Sequence, residues 1–183
     1  GSGATGNVHN NLLSIHGNAI GIDVDGGAAT VNNNHIYDNG IGVRFTNDGT
    51  GNVNTNKFFD ALKNGVDIQR TATADAGSVV ASPDNWLAGT TYGLENQSTV
   101  SVNASLNYWN DPSGPGAIAA GAGAKVTTNV IYCPWLDDEP VAFGGTPSIT
   151  SPVVTITFTE TSGAFNNDGI ICSGAPVTLD ATT

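Results

Sequence analysis

A short repeat limits the folds open to this chain more than any other feature of its sequence. A valine recurs at steps of 23 and 22 residues, and an asparagine follows each valine three residues later (Val8 and Asn11, Val31 and Asn34, Val53 and Asn56). A second block, glycine followed by alternating apolar residues, recurs in step with the first, at 21–24, 42–45, 65–68 and, more weakly, 93–96. Repeats of this length that combine short strands and turns are typical of β-solenoids, in which each repeat forms one coil.

The alternation inside each repeat predicts strands rather than helices. Apolar residues recur at every second position, and no stretch keeps a 3.6-residue period over three turns. The Leu-x-x-Leu-x-Leu spacing of leucine-rich repeats is absent. Equivalent residues of stacked coils form columns. We therefore expect two apolar core columns (Ile22, Val43, Val66 and Leu94; Val24, Phe45 and Ile68), an equivalent apolar position at Leu13, Ile36 and Phe58, and a ladder of amides at Asn11, Asn34 and Asn56.

Two of these units resemble a known family. Residues 8–24 (VHNNLLSIHGNAIGIDV) and 31–45 (VNNNHIYDNGIGVRF) are similar to the coils of right-handed parallel β-helix repeat proteins, which have the pectin-lyase-like fold. Residues 107–115 (NYWNDPSGP) and 130–136 (VIYCPWL) resemble an element that often closes such helices in secreted bacterial proteins. The chain departs from that element at Asn110, where glycine is usual, and at Cys133, where serine is usual. The resemblance covers about residues 6–137.

Repeat and resemblance together predict an all-β chain: a right-handed parallel β-helix (β-solenoid) with a C-terminal cap and a short β-rich tail. The last coil of such a helix must be covered, because open strand edges recruit strands from other molecules. Tyr108, Trp109 and Trp135 are large enough to cover the end of the core, and the Pro/Gly-rich run at 112–116 can cross that end without a regular strand edge. A sugar-stacking role for the same aromatic rings is the alternative.

Composition divides the chain into three parts. We predict that residues 1–137 form the coils and cap, 138–148 a linker rich in proline and glycine, and 149–183 a β-rich tail. The tail resembles the start of an Ig-like or PKD-like domain of large secreted Bacteroidota surface proteins. Because such a sandwich takes about 100 residues, we expect the chain to be a segment of a longer protein. Pairing of Cys133 with Cys172 is left open.

The charge balance excludes several kinds of partner. The formal net charge is −11, with five Lys and Arg residues against 16 Asp and Glu residues. Nucleic-acid phosphates require basic side chains for neutralisation, so we expect no nucleic-acid partner. No apolar run approaches the length of a membrane-spanning helix, so we expect no membrane span. The composition and the resemblance place the protein outside the cell or on its surface.

One column of charged residues is a candidate catalytic site. Strand alternation turns Asp23, Arg44, Asp67 and Glu95 outward in one row of neighbouring coils. Asp23 and Asp67, two strands apart, would lie about 9.6 Å from each other, near the upper end of the carboxylate separation in inverting glycosidases. The alternative is a surface charge ladder, with opposite charges on adjacent strands. The ladder is the simpler interpretation, so we commit to no catalytic residue.

Ligand and metal signals are weaker. Tyr37 and Phe59 occupy equivalent positions and could bind a glycan if exposed, or fill a corner of the coil. We expect no cofactor. Ca²⁺ is left open because TNDGTG (46–51) and NNDG (166–169) resemble calcium loops, although neither has the full acidic spacing and turn chemistry explains both.

These observations favour a non-catalytic, extracellular β-helix segment of a large secreted or cell-surface protein. Its expected role is adhesin-like binding of polysaccharides or cell-surface glycans, beside neighbouring domains of the same long chain. Two alternatives stay open: a polysaccharide lyase or glycoside hydrolase of β-helix fold, with Asp23, Arg44 and Asp67 in its site, and a purely structural stalk or filament element.

Overall fold

The computed structural model describes residues 4–12, 15–59, 63–69, 79–150, 155–160 and 177–182. This part of the chain is all-β, as predicted, and its one helical element is the 3₁₀ turn Val141–Phe143. No helix in the described ranges is long and apolar enough to span a membrane. The chain divides into two compact units, residues 1–150 and 151–183.

Three parallel sheets make up most of the first unit. Sheet 1 contains Thr5–His9, Ala28–Asn32, Thr50–Asn54, Val79–Val80, Val102–Asn103 and Val130–Ile131. Sheet 2 contains Ile15–His16, His35–Tyr37 and Lys57–Phe59, and single bridges continue it through Trp86, Tyr108 and Leu136. Sheet 3 contains Ile20–Asp25, Ile41–Thr46, Asn64–Ile68, Tyr92–Asn96, Lys125–Val126 and Gly116–Ala117. Each repeat passes through sheets 1, 2 and 3 in that order.

The register joins equivalent positions of successive repeats. Sheet 1 pairs Val8 with Val31 and Val31 with Val53. Sheet 3 aligns the two predicted apolar columns, which run through Ile22, Val43, Val66 and Leu94 and through Val24, Phe45 and Ile68. Apolar side chains from all three sheets pack into one core, whose fully buried members include Val31, Ile36, Val43, Phe45, Val53, Phe58, Val66, Ile68, Leu87, Leu94 and Trp109.

One predicted equivalence is corrected by the structure. Ile15, not Leu13, pairs with Ile36 in sheet 2. Leu13 itself lies outside the described residues. The first repeat therefore has two more residues between its asparagine and this strand than the second, and counting from the valines assigns the wrong residue to the column.

Two tryptophans belong to the C-terminal part of the core. Trp109 is fully buried and Trp135 is 8% exposed, whereas Tyr108 is half-buried and continues sheet 2 between Trp86 and Leu136. The indole N–H of Trp135 donates to the carbonyl of Pro112 at 3.2 Å. Gly114 packs against this ring with a φ of +86°, and a Cβ there would lie 2.5 Å from the ring. The Pro/Gly-rich run thus lies directly against the capping ring, which only a glycine allows.

Residues 138–148 lie within the first unit. The strand Trp135–Leu136 pairs antiparallel with Ile149–Thr150, so the chain between these two strands forms a loop whose ends lie side by side. On the way, Glu139 approaches Lys57 of sheet 2, with 3.9 Å between Oε2 and Nζ, and Phe143 packs edge-on against His35 at 5.7 Å between ring centroids.

In the second unit, the structure describes two strands. Thr155–Glu160 and Val177–Thr182 form an antiparallel pair, with Thr155 opposite Thr182 and Glu160 opposite Val177. Both strands lie within the stretch 149–183, which the sequence predicts to be rich in β-structure. Cys172 is outside the described residues, and so is its pairing with Cys133.

A ladder of amides links the repeats at the turn between sheets 1 and 2. The Oδ1 of Asn34 accepts from the backbone N–H of Asn11 at 3.0 Å and from its Nδ2 at 2.9 Å. The same double contact recurs at each further step, from Asn34 to Asn56, Asn85 and Asn107. Asn34, Asn56, Asn85 and Asn107 are fully buried. Because buried backbone groups must be paired, these side chains supply the bonds that the turn itself cannot form.

Replacing Asn56 with alanine is expected to destabilise the chain by at least about 2 kcal/mol. The substitution removes the acceptor of the Asn34 N–H and the donor to the carbonyls of Val31 and Asn54, and each buried polar group left unpaired costs about 1–3 kcal/mol. Urea unfolding followed by tryptophan fluorescence measures the change. Asn52→Ala is the matched control, because Asn52 is exposed on the neighbouring strand; equal losses for the two variants would contradict a structural role for the ladder.

Candidate functional site

The charged column lies on sheet 3 in the predicted register. Asp23 pairs with Arg44, Arg44 with Asp67, and Asp67 with Glu95. Neighbouring strands are about 4.8 Å apart, so each side chain is within reach of the next. The structure thus brings Asp23, Arg44 and Asp67 together, and their surroundings differ strongly.

Asp23 and Arg44 form a two-point ion pair on the surface. Arg44 Nε donates to Asp23 Oδ1 at 2.9 Å and Nη2 donates to Oδ2 at 2.5 Å. The Asp23 hydrogen bond is the main cause that raises the pKa of Arg44. Both Asp23 oxygens are engaged, so this carboxylate is poorly placed to activate a water. An exposed pair of this kind contributes little to stability, roughly 0–1 kcal/mol, but it joins two adjacent strands.

Asp67 is a buried carboxyl group, 2% exposed. Burial raises its pKa, and the Glu95 carboxylate raises it further, while contacts with Gln69, Asn64 and Arg44 oppose the rise. Gln69 Nε2 donates to Oδ2 at 2.9 Å. Oδ1 has no hydrogen-bond partner among the described residues, and neither has Oδ1 of the buried Asn64. An ionised carboxylate can only accept hydrogen bonds. Protonation would give Asp67 an O–H group that can donate to a neighbouring acceptor.

Asn64 and Gln69 are the members of this cluster that sequence reasoning missed. Asn64 aligns with Ile41 in the sheet and donates to Glu95 Oε2 at 2.6 Å. The sequence signal for Asn64 was its polar side chain at a position where the preceding repeat has the apolar Ile41. The burial of Asp67 had no signal of its own, because alternation places it on the same outward face as the exposed Asp23.

Burial makes Asp67 a poor catalyst for a polymeric substrate. A general acid must come within hydrogen-bond distance of the bond it protonates, and a carboxyl group that is 2% exposed offers no surface to a polysaccharide chain. With the Asp23 oxygens occupied by Arg44, the column has the geometry of a structural charge ladder more than that of a glycosidase pair.

We expect Asp67→Asn to stabilise the chain at neutral pH by about 1 kcal/mol or more, because the neutral amide removes a carboxylate charge whose burial is unfavourable. The raised pKa means that the folded state holds this proton more tightly than the unfolded state. The resulting stabilisation is complete below the unfolded pKa of about 3.9 and is lost as the pH rises through the higher folded pKa. The gap between variant and wild type should therefore widen from pH 4 to pH 7.

Thermal unfolding at a series of pH values measures this gap. Asp48→Asn is the control, because it removes the same charge from a side chain that is exposed in a turn. A gap between Asp67→Asn and wild type that stays constant over the pH range would refute a raised pKa at Asp67.

Tyr37 and Phe59 belong to a stack of rings on the outer side of sheet 2. The rings of His16 and Tyr37 are 4.8 Å apart with 13° between their planes, and those of Tyr37 and Phe59 are 4.9 Å apart with 17°. Register places His16 and Phe59 on opposite sides of Tyr37. Both faces of the Tyr37 ring are thus covered, and a sugar, which stacks on a ring face, would meet only the ring edges and the hydroxyl.

A second aromatic group continues sheet 2 toward the cap. Lys57 Nζ lies 3.7 Å from the centroid of the Trp86 ring, a cation–π contact, and Trp86 meets Tyr108 edge-on at 5.7 Å. Trp86 Nε1 donates to Asn110 Oδ1 at 2.9 Å. With Glu139 near Lys57, this part of the sheet 2 surface is occupied by the chain's own side chains.

Sheet 1 has a different outer surface, which we call the neutral face: Thr5, Asn7, His9, Ala28, Thr30, Asn32, Thr50, Asn52 and Asn54. A depression of about 370 Å³ crosses its first three strands, and a second of about 450 Å³ adjoins it toward Asn10 and Asn33. Neither is lined by an acidic residue, a lysine or an arginine. Both are shallow depressions that are open to solvent, not enclosed cavities.

The residues present fit a metal ion poorly. No group of three His, Cys, Asp or Glu side chains in the described part of the chain could hold one. The 46–51 loop is a tight turn in which the N–H of Gly49 donates to the carbonyl of Thr46, and the amide of Asn47 donates to Asp25 Oδ1 at 2.6 Å. The amide of Asn47 is therefore engaged with the chain itself, and Asp48 is the loop's one acidic side chain. The NNDG stretch at 166–169 lies outside the described residues.

Comparison with protein-family models, with curated proteins and with solved structures finds no match to this chain.

Proposed function

We propose that the first unit is a segment of a right-handed parallel β-helix belonging to a large secreted or cell-surface protein. Three features support this: the parallel sheets, the fixed order in which each repeat visits them, and the in-register columns that join equivalent residues. The resemblance to coils and closing elements of secreted bacterial proteins, carried by residues 8–24, 31–45, 107–115 and 130–136, supports the extracellular location.

The role that the geometry favours is non-catalytic, adhesin-like binding of glycans or glycan-covered surfaces. The neutral face carries this proposal, because its outward amides and hydroxyls repeat at the strand spacing and enclose a shallow depression. Amides and hydroxyls can both donate and accept, so they match the hydroxyl groups of sugars. A rigid sheet surface holds such groups in place without a loss of conformational freedom on binding.

The enzyme alternative has one observation in its favour. Asp67 and Glu95 are paired on adjacent strands, and the raised pKa of Asp67 is the kind of perturbation found in catalytic acids. Its burial and the closed Asp23–Arg44 pair weigh against that role. A purely structural stalk would need neither the neutral face nor the paired carboxyl groups of Asp67 and Glu95.

Incubation of the chain with a panel of insoluble neutral and acidic polysaccharides is expected to retain the protein on at least one of them without release of new reducing ends. The bound fraction and the reducing-sugar yield are measured on the same samples, and the Asp67→Asn variant is assayed in the same way. Sugar release by the wild type that Asp67→Asn abolishes would establish the enzyme instead. If no polysaccharide retains the protein, glycan binding is wrong and the structural stalk is the remaining interpretation.

A further inference from the structure

The neutral face contrasts with the charge of the rest of the chain. The whole sequence has a net charge of −11, and sheet 3 displays Asp23, Asp25 and Glu95. The depressions on sheet 1 are lined by threonine, asparagine, alanine, glycine and one histidine. A polyanion would meet no lysine or arginine there and would be repelled by the chain as a whole. An uncharged ligand is subject to no such penalty.

The side chains of this face are free to bind. Asn7, Thr30 and Asn52 stand in register on three adjacent strands. None of the three has a side-chain hydrogen bond within the part of the chain that the structure describes, whereas most other asparagines of the repeats are engaged in ladders or turns. These three residues offer amide and hydroxyl groups at a spacing of about 4.8 Å across the strands.

Small residues line the depression on this face. Ala28 stands in register between Thr5 and Thr50. Its methyl group is shorter than the threonine side chains on either side, and Ala28 lines the depression of about 370 Å³ together with the small residues Gly6, Ala29 and Gly51. The depression runs beside the row formed by Asn7, Thr30 and Asn52.

We propose that the neutral face binds an uncharged, hydroxyl-rich polysaccharide, whose chain crosses the strands of sheet 1 along the row of Asn7, Thr30 and Asn52. This inference rests on the proposed function and adds the place, the ligand class and the direction of the bound chain. Successive sugar hydroxyls bond to successive side chains of the row, and the depression at Ala28 receives the ring.

The test uses Thr30→Arg, which inserts a long side chain into the row, and Thr91→Arg as the matched control. Thr91 is exposed in the turn before Tyr92 on sheet 3, so both variants change the charge equally. Affinity for soluble hydroxyethyl cellulose, glucomannan, dextran and polygalacturonate is measured for the full chain by calorimetry. We expect at least one neutral polysaccharide to bind, and Thr30→Arg to weaken that binding about tenfold or more, which corresponds to about 1.4 kcal/mol. Thr91→Arg should retain the wild-type affinity.

Two further measurements separate this inference from the proposed function. Binding to the neutral face should change less than about twofold between about 50 and about 500 mM salt, because no ion pair is involved. Tyr37→Ala, on sheet 2, should bind like the wild type. If polygalacturonate alone binds, or if Tyr37→Ala loses binding while Thr30→Arg keeps it, the inference is wrong and glycan binding by another surface stands. If no polysaccharide binds, the inference about the neutral face and the proposed glycan-binding function are both wrong.

Discussion

The pairing of each repeat with the next at a single register is the constraint on which the rest of this structure depends. Parallel strands alone would tolerate slippage, since a shift by one residue keeps backbone hydrogen bonds but turns every side chain to the opposite face. The buried asparagine ladder prevents this, because each amide fits only where the neighbouring repeat presents its own. The core columns, the charged row on sheet 3 and the neutral face on sheet 1 all follow from that register.

Much of this arrangement could be predicted from the sequence because period and alternation are local properties. The spacing of Val31 and Val53 fixes the strand pairing, and glycine followed by alternating residues fixes the core columns. Two ladder members were missed: Asn85 follows Asn56 by 29 residues, so an insertion hides the period, and Asn107 lies in the closing segment. The shift from Leu13 to Ile15 has the same cause, since an added pair of residues changes the count without changing the pattern.

The site was less predictable, because burial is not a local property. Asp23 and Asp67 occupy equivalent positions, yet one is exposed and ion-paired and the other is enclosed beside Asn64 and Gln69. Likewise, the alternation places Tyr37 and Phe59 on an outer face but does not show that stacking covers the ring faces. The neutral face was overlooked because single threonines and asparagines carry no motif; they become a surface only when three repeats are aligned.

The asparagine ladder also has a direction. Between successive asparagines, the earlier repeat supplies a backbone N–H and an amide nitrogen as donors, and the later repeat supplies the acceptor oxygen. The amide nitrogen of the later asparagine in turn donates to a backbone carbonyl of the earlier repeat. During synthesis, when the chain emerges from its N-terminus, a completed turn therefore presents one buried backbone N–H, that of its ladder asparagine, which gains its acceptor only from the turn that follows. Each new repeat pairs with a repeat already in place, and we infer that the proposed β-helix assembles vectorially, from its first repeat toward Trp109 and Trp135.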